Sequence, residues 1–114
     1  MSIEDTRKVD TIGVEKKTGE VILTIADHLE WDDEQRHLLL LQDKINTYIS
    51  FVESGELIQV YPDAQGRRVA ISVVGKHKAS PSAIRFFLKV KDTIEPKGIS
   101  FRFEEFQQLK KRVE

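Results

Sequence analysis

The sequence predicts a two-layer α/β sandwich of α+β type: a mixed four-stranded sheet with two helices on one face, in the order β-β-α-β-α-β. Three observations predict it. Two β-branched runs joined by a glycine-containing turn open the chain, two stretches of helical periodicity follow, and each of these lies between strand-like runs.

The opening runs are "VDTIGVEK" and "VILTIADH", separated by "KTGE", and they read as a β-hairpin. After Trp31 the period changes. Leu38, Leu41, Ile45, Ile49 and Val52 follow helical spacing until Ser54 and Gly55, which places a long helix over about residues 33–54. "YPDAQGRR" holds the turn formers Pro62, Asp63 and Gly66, and "VAISVVG" behind it has the content of a buried strand. In "SPSAIRFFLKVKDTIEPKG", Ser80 is placed as N-cap and Pro81 at the first helical position. Ala83, Phe87, Val90 and Ile94 share a face, and Pro96 and Gly98 end the helix. "ISFRFE" alternates Phe101 and Phe103 with polar residues, as a strand covered on one face does. Each helix then connects two strands that can run parallel, so both fall on one face. The wide apolar arc of the first helix, which also takes in Leu40, Tyr48 and Phe51, predicts contact with the second helix as well.

A chain of 114 residues, 39% hydrophobic and 32% charged, suits a single domain with its own core. The core is expected over about residues 9–104, with 105–114 as a C-terminal extension that helical spacing allows to be a helix. Eighteen basic residues against nineteen acidic leave a net charge of -1, which provides no field to hold a polyanion and argues against nucleic acid as a partner. The chain has no cysteine, which excludes disulfides, thiolate nucleophiles and thiolate zinc sites. "MSIEDTRKVD" lacks the apolar segment of a secretory signal, and no stretch is apolar for long enough to span a bilayer, so a cytoplasmic protein with no membrane partner is expected.

The runs "VDTIGVEKKTGEVILTIADHLEW", "HLLLLQDKINTYISFVESGEL" and "YPDAQGRRVAISVVGKH", with the closing "FRF", resemble a small single-domain bacterial family, the domain of unknown function 6572. "DHLEW" and "LLLLQDKIN" are the most specific stretches. The likeness covers about residues 9–104 and leaves "FQQLKKRVE" outside. It implies a bacterial origin and a compact α/β domain, and it supplies no catalytic residues.

The densest chemistry lies in "DHLEWDDEQRH", residues 27–37, with five carboxylates, two histidines and the only tryptophan. A calcium loop counted from Asp27 fails, because Leu29 and Trp31 stand where oxygen ligands belong. His28 and His37 are nine residues apart, which fails the zincin pattern. Glu34 and His37 have the spacing of a di-iron bundle ligand pair, but the second helix offers no matching set. No metal and no cofactor are therefore assigned. Helix initiation explains the acids better, since Asp32, Asp33 and Glu34 stand where unpaired N–H groups and the helix dipole favour negative charge, and Asp32 with Gln35 has capping-box spacing. His37 falls within the apolar arc and is expected at the core edge, bonded to a neighbour.

No nucleophile elbow or phosphate loop is present, and no catalytic residue is assigned. The basic positions Arg67, Arg68, Lys76, His77, Lys78, Arg85 and Lys89 read as scattered surface charge. The expected function is a non-catalytic protein-interaction or regulatory module, of which an immunity protein is one form. His28, Glu30, Trp31, Asp32, Asp33 and His37 are its candidate binding residues. The alternative is a small ligand- or metal-dependent enzyme built on His28, His37 and their carboxylates. Leu40 and Phe51 on one edge of the first helix, with Phe106, Leu109 and Val113 recurring at helical spacing in the tail, are the candidate interface of a homodimer.

Overall fold

The computed structural model describes residues 3–106. Strands β1 (Thr11–Val14), β2 (Val21–Asp27), β3 (Val69–Gly75) and β4 (Ile99–Glu105) form one sheet in the order β1-β2-β3-β4. β1 runs antiparallel to β2, and the β2–β3 and β3–β4 pairs are parallel. Helix α1 (Glu34–Glu53) joins β2 towards β3, and α3 (Pro81–Ile94) joins β3 to β4. Both crossovers step the same way across the sheet. Right-handed connection therefore puts both helices on one face, where Ile45 and Ile49 of α1 share a groove with Phe86 and Val90 of α3. This is the expected mixed-sheet sandwich, with one addition. Gly55, at φ 86°, ends α1 in the left-handed region and starts a five-residue helix, α2 (Glu56–Val60), too short to leave a periodic signal in the sequence.

The strand registers align the inward residues of β2, β3 and β4 in four rungs. Three are apolar: Val21, Val69 and Ile99; Leu23, Ile71 and Phe101; Ile25, Val73 and Phe103. The fourth, at the carboxyl ends, is Asp27, Gly75 and Glu105. Phe87 of α3 covers the β4 side, with ring centroids 4.6 Å from Phe103 and 6.0 Å from Phe101. Leu41, Ile45 and Tyr48 bring α1 into the same hydrophobic cluster. Ile45 is 2% exposed there, so Ile45→Ala is expected to cost about 2–5 kcal/mol of unfolding free energy, measured by urea denaturation. A loss under about 1 kcal/mol would mean that α1 does not rest on the sheet through this residue.

α1 starts one residue later than the acidic cluster suggests. Asp33 is the N-cap, its Oδ1 accepting from the backbone N–H of Arg36 at 3.3 Å. The third helical position is then Arg36, not Gln35, and the expected Asp32–Gln35 capping box is not formed. Asp32 instead accepts from the backbone N–H of Asp33.

The segment ahead of β1 is part of the packed structure. Ile3 is fully buried, and Thr47 donates to the carbonyl of Thr6. Lys44, 0% exposed, reaches the Asp10 carboxylate and the Asp5 carbonyl, both at 2.7 Å. The Tyr48 hydroxyl donates to the carbonyl of Thr24 and accepts from the N–H of Asp10. Burial raises the Tyr48 phenol above its ordinary range, the Asp10 N–H opposes this, and the Asp10 carboxylate adds to it. This segment lies along the edge of α1 on which a tail or a second subunit was expected. Phe51 is buried within its own chain, beside Arg7, Lys8 and Val9, and Leu40 is partly buried against the core. Phe106 is exposed, and Leu109 and Val113 lie outside the described residues.

Candidate functional site

At the fourth rung the inner face of the sheet changes from apolar to polar, and the chain leaves for α1 from β2 and for α3 from β3. These two connections and the polar rung beneath them frame a hollow at the carboxyl ends of the parallel strands. A cleft of ≈ 180 Å³ opens here. Its bed is Val73, Ala79, Ile84, Phe87 and Phe103, Trp31 forms one wall, and His77, Lys78, Glu104 and Glu105 stand at its polar margin. Gly75 keeps it open at the centre of the rung, where an added Cβ would come within 3.3 Å of the His77 carbonyl.

The Trp31 wall is held by a buried pair. Asp27 occupies the last inward position of β2, in register with Val21, Leu23 and Ile25, and is 4% exposed. Its Oδ1 accepts from the backbone N–H of Leu29 at 3.1 Å, and its Oδ2 lies 2.6 Å from Nε2 of His37. His37, in the first turn of α1, is 2% exposed and places Nδ1 3.1 Å from the carbonyl of Glu30. Both ring nitrogens thus face oxygens. Trp31 stacks on the flat face of this ring, with centroids 3.5 Å apart and planes 18° from parallel. Asp27 and His37 therefore fix the angle of the tryptophan, and the imidazole has no nitrogen left to turn towards the cleft.

The other candidates from the same stretch disperse. His28, Glu30, Asp32 and Asp33 are exposed, Glu30 contributing its carbonyl and Asp33 its cap. Glu34 turns away from them to accept from the Ser80 hydroxyl at 2.6 Å, tying the start of α1 to the start of α3. Among the described residues no group of three or more histidine or acidic side chains could hold a metal ion. The core-edge position expected for His37 is the observed one, whereas His28 and His37 do not converge. Sequence reasoning missed Gly75, Lys78, Ile84, Phe103 and Glu105, which come from four separate segments. One signal was readable: Asp27 falls on the inward parity of β2, where an apolar residue would continue the pattern.

The sequence pattern of a family described as "Family of unknown function (DUF6572)" matches residues 1–107. The chain belongs to this family. No curated protein and no solved structure matches it. The DUF6572 match takes in both the N-terminal segment that crosses α1 and the whole cleft. No helix among the described residues is long and apolar enough to cross a membrane.

Proposed function

We propose that this DUF6572 chain is a non-catalytic protein-interaction module, of regulatory or immunity type, and that it meets its partner through the cleft at the carboxyl ends of β2, β3 and β4. The observation that carries this reading is the state of His37. An acid/base or metal chemistry would be built on this imidazole, and it is enclosed with both nitrogens engaged. The pair braces Trp31. A braced indole beside an apolar bed and a charged rim is the composition of an interface anchor, where aromatic residues in desolvated pockets contribute most of the binding energy.

The test is affinity capture from native extract with the wild-type chain and the Trp31→Ala variant, followed by titration of the purified captured protein. Retention by wild type, loss in Trp31→Ala, and a shift in the emission of the single tryptophan on titration are expected. A partner held equally well by both chains, or turnover of a small molecule by the purified protein, would remove this reading.

A further inference from the structure

The two flanks of α3 are used differently. Phe86 and Val90 face the groove shared with α1, and Ile84 and Leu88, about half a turn round the helix from them, lie on the opposite flank. Glu95 continues that flank, and its Oε2 accepts from the backbone N–H of Phe101 at 3.4 Å, so this is the flank above β4. Ile84 is 38% exposed, Leu88 49% and Phe106, just past the end of β4, 54%. Elsewhere among the described residues the large apolar side chains left exposed are Leu39 on α1 and Val60 on α2. Ile84 and Glu105, the neighbour of Phe106, line the same cleft, which puts the start of the flank beside the end of β4.

Residues 107–114, "QQLKKRVE", continue from this corner. Their apolar members are Leu109 and Val113, four residues apart, as Ile84 and Leu88 are. With Phe106 they stand at i, i+3 and i+7, which is one stripe of a helix, and Gln108 and Lys111 fall on the other side. β3 and β4 are parallel and α3 leaves from the carboxyl end of β3, so α3 starts at the end of the sheet where β4 finishes. A helix turning back from Phe106 therefore runs in the direction of α3 and meets Ile84, in its first turn, before Leu88. The rise from Leu109 to Val113 is about 6 Å, the same as from Ile84 to Leu88.

We propose that residues 107–114 fold back in cis as a short helix on the outer flank of α3, with Leu109 against Ile84 and Val113 against Leu88. A helix of this length is marginal in water and takes its stability from an apolar surface to rest on. Attachment at Phe106 selects this occupant, because a tethered segment meets the flank at a far higher effective concentration than a second copy does. Ile84 also lines the cleft, so the segment borders the cleft on its α3 side. The inference goes beyond the interaction reading and stands without it.

The chain has no cysteine, which allows a clean pair to be introduced. In the full chain, Ile84→Cys/Leu109→Cys is expected to close an intramolecular disulfide at least about tenfold faster than Ile84→Cys/Lys111→Cys, whose second thiol lies on the far side of the helix. Without cysteines, a version stopping at Phe106 should melt about 4 °C or more below the full chain. Leu88→Lys should lower the melting temperature of the full chain and leave that of the shortened version unchanged, since the group it disturbs is gone there. The proposal is overturned by equal disulfide rates for the two pairs, by disulfides that join two chains, by equal melting of the full and shortened chains, or by a Leu88→Lys loss that persists undiminished after shortening. None of these measurements involves a captured partner, so a failure here leaves the reading built on Trp31 to its own test.

Discussion

Lys44→Met is expected to lower the unfolding free energy by about 3–5 kcal/mol. Methionine retains the length and much of the volume of lysine, so packing against α1 changes little and the effect isolates the charge. What the variant removes is the cation 2.7 Å from the Asp10 carboxylate and from the Asp5 carbonyl, at a position with 0% exposure. The carboxylate is then left inside without a counter-ion, and the cost is the desolvation of that unpaired charge rather than the value of the pair. The same physics predicts a recovery. Replacing Asp10 as well, in Lys44→Met/Asp10→Leu, removes the stranded charge and should restore most of the loss, since a whole buried pair exchanged for apolar groups is often neutral or better. Guanidinium denaturation of the four proteins of this cycle gives the coupling directly. A loss under about 1 kcal/mol in the single variant would show that water reaches Asp10 once Lys44 is gone, and that the N-terminal segment is not sealed over α1.

Asp27→Ala is expected to cost a similar amount, about 3–5 kcal/mol, and to be read a second time in the tryptophan emission. The alanine leaves Nε2 of His37 and the backbone N–H of Leu29 without their acceptor inside the structure. With the imidazole no longer held at both nitrogens, the ring under Trp31 loses its fixed angle, and the wall of the cleft loosens. Asp27→Asn separates these effects. Its amide nitrogen donates to Nε2 while Nδ1–H still donates to the Glu30 carbonyl, and its oxygen still accepts from Leu29. It should therefore cost under about 1.5 kcal/mol and keep the emission of the wild type. Equal losses for Ala and Asn would show that the charge of Asp27, and not its hydrogen bonds, holds the site.

Asp27 also shows where local reading of the chain stops. Its position on the inward parity of β2 is visible in "VILTIAD", but its partner stands ten residues on in another element, and no spacing rule links a strand end to a helix start. Lys44 is the stronger case. By helical position it belongs beside Leu41, Ile45 and Tyr48, where a lysine ordinarily keeps its ammonium in water. It is buried because residues 3–10 fold across it, and those residues read locally as a charged, featureless start. For the same reason the edge of α1 near Phe51 looked available for a tail or a second subunit. Arg7, Lys8 and Val9 stand beside Phe51 there.

The sequence by itself determined the four strands, the two long helices and their shared face, because each of these rests on a local pattern: alternation, helical period, caps and turn residues. That β2, β3 and β4 are neighbours in this order, with their carboxyl ends together, is a property of the tertiary pairing. The tertiary structure alone decided which side chains meet there, that His37 is spent on Asp27 and Glu30, and that Lys44 is sealed beneath the N-terminal segment. Those outcomes depend on contacts between different elements, from seven positions apart for His37 and Glu30 to 39 for Lys44 and Asp5, whose free energies are settled by burial and hydrogen-bond satisfaction in three dimensions and leave no periodic trace along the chain.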